Sequence, residues 1–164
     1  MAHHFFLPHK INPNLPVVLE GENAHHARNV LRLRVGDTIS LADGTGKGYE
    51  AGIIKVEKKR LVAEIKSLLA NFEPRLQIGL YQGWPKGHKL DFIIEKNTEL
   101  GVARIEVLIT ERSIPHPDQQ TIKRRRQRWQ QKALAAARQS HRLRVPPVNG
   151  PLELTTALPL LKPD

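Results

Sequence analysis

The 164-residue sequence contains no cysteine, which excludes disulfides, thiolate metal sites and thiol catalysis from this chain. Aromatic residues make up only 5% of it, and sixteen Asp and Glu stand against twenty-six Lys and Arg. No apolar run approaches the ~18 residues of a membrane span, and the first eight residues lack the pattern of a signal peptide. These absences predict a cytoplasmic protein without a membrane partner.

The excess of basic side chains gives a net charge of +10 and an isoelectric point near 10.2. Such an excess attracts polyanions and predicts RNA or a ribosomal subunit as the partner. The charge is uneven, because residues 1–73 hold ten basic and eight acidic side chains, whereas residues 74–164 hold sixteen and eight. Most of the positive charge therefore belongs to the second part of the chain.

The pattern of short segments also changes near Pro74, and this predicts two domains, 1–72 and 73–164. In the first, short strands alternate with Gly and Asp turns and one helix covers 22–33, which favours a small β-barrel. The strands predicted there cover 17–20, 38–42, 49–56 and 60–66.

In the second domain strands and helices alternate, which is typical of a parallel α/β sheet. Strands are predicted over 76–82 and 102–110, and helices over 87–100 and 119–143. The remaining segment, Pro151 to Asp164, is too short for another strand and helix, so we expect a sheet of two strands that is incomplete. The predicted fold class is a β-barrel followed by a truncated α/β domain.

The strongest pattern is a run of nine Lys and Arg, without an acid, from Lys123 to Arg144. At ~100° per residue, five of these side chains form one stripe of the predicted helix, opposite apolar and small residues. Like charges one turn apart destabilise a helix by a few tenths of a kcal/mol, so a purely basic stripe favours phosphate binding over a solvated face. This basic stripe consists of Arg124, Arg128, Lys132, Arg138 and Arg142.

Five further basic residues are predicted to bind RNA. Arg28 and Arg32 are spaced by one helical turn, and Arg34 follows them, so they are suited to neighbouring phosphates. Lys86 and Lys89 follow a predicted strand, at the carboxyl end where open α/β sheets bind ligands.

A row of three carboxylates offers an alternative chemistry. Asp91, Glu95 and Glu99 recur every fourth residue, and a metal-dependent nuclease could use such a row because hard cations need several oxygen ligands. An amphipathic helix explains the same spacing as a solvated acidic face, and we favour this interpretation and predict no metal site. The sequence also contains no nucleophile elbow, phosphate loop or dinucleotide fingerprint.

Four stretches, in order and spacing, resemble the RsmE-type small-subunit ribosomal RNA uridine N(3)-methyltransferases of the SPOUT class. They are Val30-Leu31-Arg32-Leu33 with Gly36-Asp37; Asp43-Gly44 with Tyr49; Lys86-Gly87 with Thr98–Val102 and Thr110–Ser113; and Arg128-Trp129-Gln130 with Gln139-Ser140 and Val145-Pro146. Each motif is weak, but the combination is specific.

The resemblance implies a PUA-like, RNA-binding β-barrel followed by a SPOUT domain that uses S-adenosylmethionine to methylate one uridine of small-subunit rRNA. It implies a homodimer, and it places Thr98–Val102 and Thr110–Ser113 at the early part of the SPOUT site. Arg112 lies in the latter segment and is added to the residues predicted to bind RNA.

The sequence departs from the family where the methyl donor binds. The Gly-Pro-Glu-Gly-Gly loop and the Leu-Arg-x-Glu-Thr-Ala knot segment are absent, Arg138 stands in place of Glu, and His141 stands in place of Gly. We therefore assign no catalytic residue, and we expect an N-terminal portion that neither binds S-adenosylmethionine nor catalyses alone, because methyl transfer needs a positioned donor. The alternative is a stand-alone, non-catalytic RNA- or ribosome-binding protein.

Overall fold

A computed structural model describes residues 3–111, 113 and 118–160. The chain divides into two compact units at the junction of Glu73 and Pro74. Within the described residues, the N-terminal unit is built on one sheet and the C-terminal unit on a second sheet with helices.

The N-terminal unit is a curled, five-stranded half-barrel. Its strands are β1 (His3–Phe6), β2 (Val17–Glu20), β3 (Thr38–Ala42), β4 (Gly48–Val56) and β5 (Arg60–Leu68). They lie in the order β1-β3-β4-β5-β2, with β1 parallel to β3 and the other neighbours antiparallel. The predicted β-barrel class is confirmed in this half-barrel form.

Alternating side chains of these strands form the core of the half-barrel. Phe5, Ile39 and Leu61 are almost completely removed from solvent, and Tyr49 packs with them. Burial of this kind is the main favourable term in folding. Between β3 and β4 the chain turns at Gly44, whose φ of +76° is a left-handed conformation that glycine adopts readily.

The helix predicted over 22–33 is shorter and changes type. Helix α1 covers Gly21–His25, and a π-helical turn, His26–Val30, follows it. The Leu31 N–H donates to the carbonyl oxygen of His26 over 3.0 Å, and Arg32 then has a φ of +55°. Tertiary packing overrides the helical period, because Ala27, Leu31 and Leu33 contact the core. Arg28 and Arg32 are therefore not one α-helical turn apart.

The C-terminal unit is a parallel sheet whose strands alternate with helices. Its elements are β6 (Gly79–Gly83), α2 (Lys89–Glu99), β7 (Arg104–Ile109), α3 (Gln119–Gln139), β8 (Val148–Glu153) and α4 (Leu154–Ala157), followed by a 3-10 turn, Leu158–Leu160. The strand order is β6-β7-β8, and all neighbours are parallel. The predicted α/β class is thus confirmed.

The expectation of only two parallel strands is wrong, because β8 adds a third. The sequence did not predict this strand because it contains Pro151, and proline has no N–H to donate to a neighbouring strand. The pairing of β7 with β8 is irregular between Glu106 and Leu108, opposite the Gly150-Pro151 pair. Gly150 has a φ of +92°, and a Cβ there would collide with the carbonyl oxygen of Val107. A local irregularity built on glycine therefore admits the proline.

The core of the C-terminal unit lies between its sheet and α2 and α3. Ile94, Ile105 and Val107 are fully buried there. The rings of Trp84 and Trp129 meet edge to face, with centroids 5.1 Å apart and planes at 81°. Such aromatic pairs add ~0.5–1.5 kcal/mol beyond their burial, so this pair anchors α3 to the unit.

Candidate nucleic-acid interface

Helix α3 has one buried and one basic face, as its sequence predicts. Asp118 caps its start, because its carboxylate accepts from the Thr121 N–H at 2.8 Å. Hydrogen bonds from the Thr121 backbone and hydroxyl lower the pKa of Asp118. The apolar face buries Trp129, Ala133 and Ala136 against the unit, so the opposite face is directed to solvent.

Only part of the basic stripe is exposed. Arg124, Arg128 and Lys132 lie at the surface, whereas Arg138 is half-buried. Arg142 is buried, with 8% of its area accessible. Three of the five stripe residues are therefore exposed in the structure, and one of these, Arg128, is paired with Asp91.

The prediction that Arg142 belongs to an exposed face of the helix is wrong, and its burial opposes the predicted contact with RNA. Its Nη1 donates to the carbonyl oxygen of Thr98 at 3.1 Å, in the last turn of α2, and to that of Val102 at 2.8 Å, just after the helix. A cation at this position complements the negative end of the α2 dipole, so Arg142 joins the end of α3 to the end of α2.

The error has a geometric cause. The period of ~100° per residue applies only within a helix, and α3 ends at Gln139 rather than at 143. His141 has a φ of +55°, and the Arg142 N–H donates to Ala137 at 3.0 Å, which is the bonding of a Schellman helix end.

A groove brings three arginines together near the N-terminal ends of α2 and α3. It has a volume of about 370 Å³ and is lined by His88, Thr121, Arg124, Arg125 and Arg128; we call it the arginine groove. His88 immediately precedes α2, and the other four residues occupy the N-terminal turns of α3. The sequence stripe missed Arg125 and His88, because one lies off the stripe and the other belongs to a loop.

Lys86 lies in the loop before α2, and Lys89 is the first residue of that helix. Both side chains are exposed, and their binding of RNA stays a prediction. Arg112 lies outside the described residues.

The three carboxylates of Asp91, Glu95 and Glu99 form ion pairs with basic side chains. Asp91 forms an ion pair with Arg128, and Lys96 lies 3.0 Å from both Glu95 and Glu99. The hydrogen bonds of Lys96 with Glu99 and Glu95 raise its pKa. Among the described residues no three His, Asp or Glu side chains are grouped to hold a metal ion. The geometry therefore does not supply the free carboxylates that a metal-dependent nuclease needs.

A second basic surface lies on the N-terminal unit. Arg28 Nη1 donates to the Lys58 carbonyl oxygen at 3.1 Å, which joins the π-helical turn to the β4–β5 turn. Arg28, Lys58 and Lys59 are all exposed, and we call them the hairpin patch. The two lysines were not among the predicted RNA-binding residues, although their adjacency at a turn is visible in the sequence.

Glu57 fixes the turn that carries the hairpin patch. Its carboxylate lies 2.5 Å from Arg60 Nε and 2.6 Å from Lys55 Nζ. Hydrogen bonds from Arg60 and then Lys55 lower the pKa of Glu57 to about 2. Because Glu57 is already paired, the neighbouring Lys58 and Lys59 are left available to an anion.

Arg32 and Arg34 are also exposed, close in sequence to the hairpin patch. The Arg34 N–H donates to the Asp37 carboxylate at 2.7 Å, which fixes the backbone of this loop while its guanidinium stays exposed. Arg32 holds its left-handed conformation without being glycine, and such strained residues cluster at functional sites.

Within residues 3–111, 113 and 118–160, the helices do not combine the length and the hydropathy that a membrane span requires.

Two family models match the chain, one to each unit. The model described as an RNA methyltransferase PUA domain matches residues 19–66, and the model described as an RNA methyltransferase domain matches residues 72–163. The second match alone spans more than half of the chain.

Curated proteins that are similar to this chain are also named as RNA methyltransferases. The chain is 34% identical over 131 residues to ribosomal RNA small subunit methyltransferase E of Bacillus subtilis, covering 79% of this chain and 51% of that protein. It is 31% identical over 137 residues to the protein of the same name from Buchnera aphidicola, covering 83% and 54%. The chain thus spans about half the length of the curated relatives it matches.

One solved structure is similar over the whole length of this chain. The ribosomal RNA small subunit methyltransferase E of Neisseria gonorrhoeae, bound to S-adenosyl methionine, superposes with a TM-score of 0.90 at 34% identity. The match covers 100% of this chain and 67% of that one.

Proposed function

Because this chain belongs to the RsmE-type family of ribosomal RNA small subunit methyltransferases, we propose that its protein transfers a methyl group from S-adenosylmethionine to N3 of a uridine in that RNA. Within this activity, residues 1–164 hold the RNA. The observation that carries the proposal is the pair of exposed basic surfaces, the arginine groove and the hairpin patch, within matches to two RNA methyltransferase domain models.

The basic side chains supply affinity rather than base recognition. Guanidinium and ammonium groups contact phosphate oxygens, which fix an RNA strand in position but carry no sequence information directly. Each neutralised phosphate also releases condensed counterions, so binding weakens steeply as salt is added. The uridine itself is then read by groups other than these.

The arginine groove does not suit the methyl donor. The groove at the N-terminal ends of α2 and α3 is lined by three arginines, whose positive charge opposes the positive sulfonium of S-adenosylmethionine. The Gly-Pro-Glu-Gly-Gly and Leu-Arg-x-Glu-Thr-Ala motifs do not occur in the sequence. We therefore propose that the polypeptide of these 164 residues neither binds the donor nor catalyses alone.

The proposed reaction is tested in the cells that make this protein. Small-subunit rRNA is purified with the gene intact and disrupted, digested to nucleosides and examined by mass spectrometry. We expect 3-methyluridine to disappear on disruption and to return on complementation. Unchanged 3-methyluridine would contradict the proposal and favour a non-catalytic RNA-binding protein.

The donor proposal is tested by calorimetric titration of the purified 164-residue polypeptide with S-adenosylmethionine. We expect no saturable heat while circular dichroism shows the protein folded. One site per chain would contradict the proposal. From the family we further propose that the full-length protein is a cytoplasmic homodimer, and sedimentation equilibrium of that protein should give twice the mass of its own chain.

A further inference from the structure

We propose that the arginine groove binds one phosphodiester group of the RNA strand, and that Asp91 competes with this phosphate for Arg128. The inference rests on the proposed RNA-binding function and gives it a site. It assigns a direct contact to Arg125, which the sequence pattern had not selected, and a regulating contact to an acidic residue.

The composition of the groove suits a phosphate. Three guanidinium groups line one concavity together with a hydroxyl and an imidazole. Guanidinium groups present donors in a planar fork that matches two phosphate oxygens, and such charge-assisted bonds are about twice as strong as neutral ones. The Arg124 Nη2 donates to the Thr121 hydroxyl at 3.4 Å, so the lining side chains lie close together.

Two of the three arginines are not paired directly with a carboxylate of the described residues, although the Asp118 carboxylate interacts with Arg124 through space. In the part of the chain that the structure describes, neither Arg124 nor Arg125 forms an ion pair. Adjacent cations repel, and this cost is offset when an anion binds between them. A purely solvated face would instead disperse its charges, whereas here they line one concave surface.

The third arginine is held by an internal competitor. Asp91 belongs to α2, and it pairs with Arg128 across the two helices. Only 17% of the Asp91 side chain is accessible, whereas 45% of the Arg128 side chain is. The guanidinium therefore faces both the carboxylate and the groove, and a phosphate must share it with Asp91 or displace Asp91.

The first experiment compares two variants with the same loss of charge. Arg125→Gln removes a groove residue, and Lys123→Gln removes an exposed cation of α3 that does not line the groove. Binding of a fluorescent single-stranded RNA is measured by anisotropy at several salt concentrations. We expect Arg125→Gln to weaken binding about tenfold and to lower the log–log salt slope by ~0.7, the value for one phosphate of a single strand.

The second experiment removes the competitor. Asp91→Asn frees Arg128, and Glu95→Gln makes the same charge change one turn further along α2, where Glu95 pairs with Lys96 instead. We expect Asp91→Asn to tighten RNA binding at least about threefold more than Glu95→Gln does, since Coulomb terms fall with distance and are screened beyond ~8 Å at physiological salt. A merely structural ion pair would give no such tightening.

The outcomes separate this inference from the proposed function. If the wild-type chain binds RNA but Arg125→Gln equals Lys123→Gln, or Asp91→Asn equals Glu95→Gln, the groove inference is wrong and RNA binding stands. If the wild-type chain binds no RNA, the proposed function itself fails. Inorganic phosphate is titrated in parallel, with the arginine Nε–H resonances observed by NMR. Shifts in the groove without RNA binding would assign it to a free phosphate and overturn the phosphodiester proposal.

Discussion

Replacing Arg142 by methionine should destabilise the C-terminal unit without weakening RNA binding. Methionine keeps the length of the side chain but cannot donate to the carbonyl oxygens of Thr98 and Val102. Each hydrogen bond from a charged donor contributes ~1.5–3 kcal/mol, so two such bonds give about 3–6 kcal/mol. The variant no longer has to desolvate a buried charge, and this offsets part of the lost hydrogen-bond energy. We therefore expect the free energy of unfolding to fall by about 3 kcal/mol.

The assay uses the two tryptophans of the chain. Both Trp84 and Trp129 lie in the core of the C-terminal unit, so their fluorescence during urea denaturation reports on that unit. With a slope of ~1–3 kcal/mol per molar urea, the midpoint should fall by about 1–3 M. RNA affinity in the absence of urea should stay within about twofold of the wild-type value, because Arg142 is not exposed.

The matched control is Arg124→Met, the same substitution on the exposed face of α3. We expect it to change stability by less than about 0.5 kcal/mol but to weaken RNA binding. The reasoning is refuted if Arg142→Met unfolds at the wild-type urea concentration, or if it weakens RNA binding as much as Arg124→Met does while remaining folded.

Three further changes have defined outcomes. Arg32→Gly should raise the free energy of unfolding by about 0.5–1 kcal/mol, since glycine accepts the φ of +55°, while weakening RNA binding. Glu57 has a folded pKa of about 2, below its usual 4.5, so its contribution to the free energy of unfolding is complete above pH 4.5 and is lost as pH falls toward 2. Glu57→Gln should therefore make the free energy of unfolding depend less on pH in that window, and this difference from the wild type should shrink in high salt. Trp129→Ala should cost about 3–5 kcal/mol in urea denaturation, because the ring is fully buried.

The strands of the N-terminal unit were predictable because they are short segments separated by turns that contain glycine and aspartate. Predicted strands over 17–20 and 38–42 have the bounds of β2 and β3, and those over 49–56 and 60–66 differ from β4 and β5 only at the ends. The sequence could not show the parallel pairing of β1 with β3, because that pairing joins segments more than thirty residues apart.

The errors fall where tertiary packing or backbone conformation overrides a local pattern. The helix predicted over 22–33 becomes π-helical while Ala27 is fully buried in the core. Strand β8 was hidden by Pro151, which an irregularity at Gly150 accommodates. His141 ends α3 in a left-handed conformation that usually belongs to glycine, so its identity gave no stop signal.

The site was predictable as a basic helix face but not as a cavity. Helical periodicity correctly placed Arg124 and Arg128 at the surface. It could not bring His88 from a loop into the same groove, nor show that Asp91 faces Arg128 across two helices. Such contacts depend on how α2 and α3 pack, which one helix period does not encode.

We propose that this chain binds RNA through phosphate contacts on its exposed basic surfaces. The most direct test is the salt dependence of its affinity for a small-subunit rRNA fragment, measured for the wild-type chain and for the variant carrying Arg124→Glu and Arg128→Glu. We expect the logarithm of affinity to fall linearly with the logarithm of salt concentration, and the slope to become shallower in the variant. Equal slopes in the two proteins, or wild-type affinity independent of salt, would contradict the account.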